Sequence, residues 1–375
     1  MTPSSPPPRS LTYLDYNATT PVLPSVAAAV TAALGDFGNP SSVHTAGRKA
    51  RAAVEGAREA VAEMSGAPVQ QVIFTSGGTE ANVLALRGLA AAARCSAVLA
   101  SGVEHASVLA EIPESARLAV DQDGRIDIQA LEAELKHRAK PVLITVMLAN
   151  NETGVIQPID KVVALARAYG ALVHCDAVQA AGKIPVDLKA LGVDSVSLSA
   201  HKIGGLKGVG ALVLRAGLEI AADLSGGGQE RRRRAGTENV LGIIGFGAAA
   251  RETKTLLAQA GRIADLRKSL EDAVLQTPAV QIFSSTVARL GNTSCFALKG
   301  VSSETQVMRL DLAGVAVSAG SACSSGKIAP SHVLLAMGMP AADATSAIRV
   351  SLGWETTADD ISAFLKAWRP LVEQI

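Results

Sequence analysis

Apolar positions recur at helical spacing over residues 46–64, with charged residues alternating between them, and a short strand-like run follows at 71–75. The alternation then repeats: a helix over 79–93, and strands at 97–100, 142–148, 172–175, 195–199 and 210–214. Most of these strands are separated by helix-length segments. That pattern predicts βαβ units, hence an α/β fold with a mainly parallel central sheet and helices on both faces. Residues 210–214 follow 195–199 too closely for a crossover helix, so this strand is expected to pair antiparallel with its predecessor. Past the Gly/Arg-rich stretch Gly226 to Gly236 the pattern changes to a long helical region at 240–276, then to mixed strands and helices. The expected organisation is a tail at 1–10, a large domain at 15–255, and a smaller α+β unit. That unit is made of 11–14 and 256–375 and includes the segment 318–330.

Composition narrows the function classes. With 48% hydrophobic and 18% charged residues the chain reads as globular. A net charge of +1 and 3% aromatics argue against nucleic acid and against an anionic membrane surface. The longest apolar runs, 142–149 and 240–250, fall short of the roughly 18 residues that cross a bilayer. The first ten residues are Pro/Ser-rich without an apolar stretch, so no secretory leader is expected and a cytoplasmic location is. The four cysteines, Cys95, Cys175, Cys295 and Cys323, form no C-x-x-C pair, which disfavours a disulfide framework and a metal site.

Candidate chemistry gathers at strand ends. Lys202 closes Ser-Ala-His-Lys just after the strand 195–199. A lysine there is costly unless paired or converted to an imine, which is how pyridoxal 5′-phosphate is held by its enzymes. Asp176 closes the strand 172–175, where ligands bind in an open α/β sheet, and could pair with a pyridine nitrogen. Gln179 could donate to the ring's phenolic oxygen. The turn Thr75-Ser-Gly-Gly-Thr-Glu80 leads from strand to helix and suits a phosphate. His105 could stack on a ring and move protons. Cys323 lies in Ser-Ala-Gly-Ser-Ala-Cys-Ser-Ser-Gly, a stretch expected to be a mobile surface loop, where a thiol packs nothing and is free to react. The other three cysteines read as inert. Arg349 is a candidate fork for a carboxylate. Each feature alone has an ordinary explanation: an exposed lysine, a helix cap, a glycine turn, a structural histidine.

Together, in this order, they resemble a known family. The stretches LDYNATTP (14–21), FTSGGTE (74–80), LANNETGVIQP (148–158), HCDAVQAAGK (174–183), SLSAHKIGG (197–205), AGTENV (235–240) and SAGSACSSG (318–326) are similar to cysteine desulfurases of the NifS/IscS type. These belong to the class-V aminotransferase-like, fold-type I pyridoxal-phosphate enzymes. The resemblance implies that Lys202 binds the cofactor covalently, Asp176 faces its ring nitrogen, Gln179 its phenolic oxygen, and His105 its ring. Gly78, Thr79, Ser199 and His201 would hold the phosphate. Thr237 would reach the phosphate of the neighbouring subunit, implying a homodimer with shared sites. Asn151 and Arg349 would hold substrate L-cysteine, and Cys323 would become the persulfide. The sulfur would pass to an acceptor protein or iron–sulfur scaffold.

Some positions depart from the pattern: Leu206 stands where proline is frequent, Val83 where asparagine is, and Arg232 where glycine is. None removes a reacting group. The C-terminal scaffold-docking tail of housekeeping members is expected to be short or absent. The basic run Arg231 to Arg234 reads first as a solvated loop face and second as an interface or docking patch. Rival readings are selenocysteine lyase, an aminotransferase (which has no use for Cys323), and a non-enzymatic sulfur-assembly partner (which would not need Lys202, Asp176 and Cys323). A nicotinamide dehydrogenase lacks its G-x-G-x-x-G turn.

Overall fold

The computed structural model describes residues 11–320 and 330–372, so the expected tail at 1–10 and Cys323 lie outside the described residues. The first strand, β1 (Thr12–Tyr13), finds its partner only near the end of the chain. The central sheet is built from β2 (Val72–Thr75), β3 (Ala97–Ser101), β4 (Arg117–Leu118), β5 (Val142–Thr145), β6 (Leu172–Asp176), β7 (Ser195–Ser199) and β8 (Gly210–Leu214). Their order is β2-β8-β7-β6-β5-β3-β4. The strands from β7 through to β4 pair in parallel, and β8 runs antiparallel to both β2 and β7, as its short connection demands. Strands β2, β5, β7 and β8 are buried along their whole length, which is why β2, β5 and β8 read as largely apolar runs, whereas β7 alternates apolar residues with buried serines.

The helix Thr45–Ser65 is capped by His44, which accepts from Gly47 N, and stops at Gly66 in the left-handed conformation (φ +64°). It packs on the helix Val240–Arg251, where Gly247 lies so close that a Cβ would sit 2.6 Å from that of Ala57. The helical region expected at 240–276 is divided into Val240–Arg251, Thr253–Ala258 and Ala260–Val274. At the first break the Thr253 hydroxyl donates to Ala250 O at 2.7 Å and competes with the helical ladder. The strand expected at 142–148 ends at Thr145. The apolar run continues because Val146 and Leu148 still donate to the carbonyls of β6 while Met147 and Ala149 line a cavity.

The remaining strands are β9 (Val280–Ile282), β10 (Thr293–Leu298), β11 (Val315–Ala316), β12 (Ser318–Ala319) and β13 (Ala347–Ser351). An antiparallel sheet forms in the order β12-β13-β10-β9, and β11 pairs in parallel with β1. This part has its own core, in which Phe296 meets Phe364 and Trp368 edge-on at 6.4 and 6.0 Å between ring centres. We propose a domain division near residue 255, across which Leu256 and Leu290 reach back into the larger cluster. No described helix is long and apolar enough to cross a membrane.

Candidate active site

Strands β5, β6 and β7 end at a common edge, and a cavity of about 230 Å³ opens there. It is lined by Gly78, Thr79, His105, Asn151, Asp176, Gln179, Ser199, His201 and Lys202, so these sequence-predicted residues converge on one place. Parallel strands bring their C-terminal residues together at such an edge, which is why segments distant in sequence meet there.

Asp176, at the end of β6, is almost fully buried. Its Oδ2 accepts from Asn82 Nδ2 at 2.7 Å and its Oδ1 from Val178 N at 2.9 Å. The local turn is therefore capped while the carboxylate faces the cavity. Because the carboxylate only accepts, Asn82 must turn its Oδ1 to His174 Nε2, 3.2 Å away. His174 Nδ1 meets Ser195 Oγ at 2.8 Å. Burial holds this imidazole down to about 3, so it is neutral and its proton is assigned to Nε2. The buried serines of β7 are thus explained by a polar partner behind them.

Lys202 follows β7 in the turn Ala200–Lys202. Its Nζ donates to the carbonyls of Asn17 at 2.5 Å and Ala18 at 2.8 Å. His105 Nδ1 accepts from Ser107 N at 3.1 Å, which places its proton on Nε2. Its pKa is lowered first by burial, then by Lys202 and His332, against Asp176.

Across the cavity, the helix Gly78–Ala93 starts without any side-chain cap, leaving first-turn N–H groups open. A Cβ on Gly78 would approach Val178 Cγ2 to 2.8 Å, and one on Gly210 would meet the Gly77 carbonyl carbon at 2.6 Å. Only glycines let this turn pack so closely against its neighbours. Thr79, Ser199 and His201 stand beside it. His201 Nδ1 meets Thr19 Oγ1 at 3.1 Å, and burial, helped by Lys202 and Lys207, lowers it to about 4. It is a neutral hydrogen-bonding group near pH 7.

An anion cup at a helix N-terminus, a carboxylate opposite, and an amine and an imidazole between them fit pyridoxal phosphate. Lys202, Asp176, Gln179, His105, Gly78, Thr79, Ser199 and His201 are the residues that would hold it.

Two expected residues stand elsewhere. Arg349, buried on β13, donates to Asp15 Oδ1 at 2.8 Å and to Asn151 O at 3.1 Å, while its Nε has no partner. It supports the cavity through Asn151 and is not part of the wall. Thr237 is exposed and outside this cavity. Cys323 lies outside the described residues, whereas Cys175 and Cys295 are fully buried, and burial pushes the Cys295 thiol up to about 12.

The solvated-face reading of the arginine run is corrected for two of its members. Arg233 donates to Gln71 Oε1 at 2.9 Å and Gln70 O at 2.7 Å, and Arg234 grips Glu80 at 2.7 and 3.1 Å. The segment is drawn inward by buried Glu230, which pairs with Arg58 at 2.7 and 2.9 Å. Arg231 and Arg232 remain exposed. Sequence reasoning missed Asn82, His174 and Lys183. Asn82 carried a signal, a polar residue one turn after Thr79 on the inner face of a mostly apolar helix.

Residues 12–364 match the aminotransferase class-V family. A cysteine desulfurase from Cereibacter sphaeroides is 45% identical, with 97% of this chain and 96% of that one covered. The cysteine desulfurase IscS of Dictyoglomus turgidum is 41% identical, with 97% and 95% covered. Among solved structures, a NifS-like protein from Rickettsia africae superposes with a TM-score of 0.89 at 34% identity, over 97% of this chain and all of that one. SspA in complex with cysteine gives 0.78 at 30% identity, over 91% and 98%. The chain therefore belongs to the class-V aminotransferase family and, within it, to the cysteine desulfurases of the NifS/IscS type.

Proposed function

We propose that the chain takes sulfur from L-cysteine in the cytoplasm, releases L-alanine, and holds the sulfur as a persulfide on Cys323 for an acceptor in iron–sulfur or other sulfur-cofactor synthesis. The observation that carries this reading is the convergence of Asp176, Lys202 and an open helix N-terminus on one cavity. A related structure holds cysteine. When bound, pyridoxal phosphate supplies an electron sink for negative charge at the substrate's α-carbon.

The remaining work falls to the chain's own groups. Asp176, fixed by Asn82, keeps a carboxylate where a protonated ring nitrogen needs one. Lys202 takes the substrate's α-proton and returns protons to carbon. Asn151 meets the substrate carboxylate from the cavity wall, and Arg349, behind it, joins it on leaving Asp15. The Cys323 thiolate attacks the substrate sulfur: an S–S bond forms, the C–S bond breaks with its electron pair going to carbon, and protonation gives alanine. In the proposed homodimer Thr237 reaches the partner's phosphate.

Sulfide and alanine released from L-cysteine in the presence of a reductant test this. Equal amounts are expected from wild type. Cys323→Ser should keep the cofactor yet fall to background, and Lys202→Ala should lose covalently held cofactor. A cofactor-loaded wild type that makes no alanine overturns the reading.

A further inference from the structure

Lys183 has none of the roles assigned above, yet its amine is fully engaged behind the cavity. Its Nζ donates to Gln179 Oε1 at 2.7 Å and to Asn17 Oδ1 at 2.9 Å. Gln179 in turn gives one Nε2 hydrogen to the Asn17 carbonyl at 2.8 Å. The same carbonyl accepts from Lys202 Nζ at 2.5 Å. Asn292 Nδ2 completes the set at Asn17 Oδ1, 3.0 Å away. Both oxygens that Lys183 touches belong to neutral amides, and the charged groups that act on its amine, Lys202 and Arg349, are cations. Charged or neutral, the amine has at least two N–H donors, the number its two partners take.

The consequence falls on Gln179. Its oxygen is taken by Lys183 and one N–H by a backbone carbonyl, which can only accept. The amide is pinned at both ends, and its second N–H is left for the cavity that Gln179 lines. Remove Lys183 and the oxygen end is released, so the side chain is free to swing or turn over. We propose that Lys183 is a positioning residue, which fixes the Gln179 amide and the Asn17 carbonyl so that a donor faces the cofactor's phenolic oxygen and the Lys202 amine keeps its place. This rests on the reading that the cavity takes pyridoxal phosphate.

The test follows the visible absorption of the bound cofactor against pH in the holoenzyme without substrate, and the affinity of the apoenzyme for pyridoxal phosphate. A donor on the phenolic oxygen stabilises its deprotonated form. Lys183→Met should therefore raise the chromophore's titration midpoint by about half to one pH unit and weaken cofactor binding several-fold. Gln179→Met should shift the midpoint in the same direction, and the double variant no further than either single one. If Lys183→Met fails to fold, Lys183→Gln, which keeps a shorter donor, should give a smaller shift of the same sign. An unchanged midpoint despite lowered thermal stability would mean a structural role alone. Shifts that add in the double variant would mean that Lys183 acts by charge and not through Gln179; either result overturns the proposal. A wild type that takes up no pyridoxal phosphate would instead overturn the parent reading.

Discussion

Arg232 has φ +65°, and the two residues before it, Glu230 and Arg231, have φ +44° and +57°. A side chain in the left-handed region costs about 1–2 kcal/mol, and here three in a row are tolerated because Glu230 is anchored inside. Glycine, which the family pattern favours at this position, relieves the conflict at the expense of some chain entropy. Arg232→Gly is expected to stabilise the protein by about 0.5–1 kcal/mol, read from the denaturant midpoint, and a loss would show that the exposed guanidinium holds something. His174 gives a pH-dependent expectation. Its pKa is about 3 when folded and near 6.5 when unfolded. As pH falls below 6.5 the unfolded chain takes up a proton that the folded one refuses, so stability declines, by up to about 1.4 kcal/mol per pH unit. His201 acts in the same direction. His174→Gln should flatten the slope of urea midpoints between pH 7 and 5 by up to about one proton; an unchanged slope would mean that His174 titrates normally. At this scale the sequence was informative wherever a polar residue ends an apolar strand, as Asp176 and Lys202 do. It was silent on His174 and Lys183, whose partners are chosen only when β7 and the Asn17 loop pack against them.

Elements were legible to the extent that their determinants are local. The antiparallel β8 followed from the length of its connection, and the helix Thr45–Ser65 from its periodicity. The two-residue strands β4 and β12 carry no periodic signal, and the break after Arg251 depends on competition for a backbone acceptor. The segment around the arginine run shows how elements are tied together. Glu230 pairs with Arg58 of the helix Thr45–Ser65 and accepts from Phe74 N of β2 at 3.0 Å. Glu230→Gln would take the charge and one of the two acceptor oxygens from Arg58, leaving it the amide oxygen, Val72 O and the more exposed Glu55, and should cost toward the lower end of the ~3–5 kcal/mol typical of a broken buried pair. Breaking the more exposed Arg234–Glu80 pair with Arg234→Met should cost less than about 1 kcal/mol. Equal midpoints for the two variants in denaturant would refute this ranking.

For the whole molecule, the unassigned piece is Thr237, exposed and outside the cavity of its own chain. Residues Gly228 to Arg231 and Glu238 share a surface hollow with Pro40 and Ser41, whose neighbours Phe37 and Val43 are 91% and 86% exposed. Large apolar side chains open to water beside a threonine-bearing turn suit a face covered by a second copy. If the proposed dimer shares its sites, each cavity combines Lys202 of one chain with Thr237 of the other. Lys202→Ala and Thr237→Ala then damage different halves of the same site. In a mixed dimer one cavity carries both changes and the other carries neither. Co-purified heterodimers, with a distinct tag on each chain, should therefore recover one wild-type site in two, with wild-type cofactor affinity at that site. If Thr237 serves its own chain, no cavity is intact in the mixture. Its Thr237-substituted half would then bind cofactor as weakly as the Thr237→Ala homodimer. A phase of wild-type affinity would confirm the shared site, and its absence would refute it.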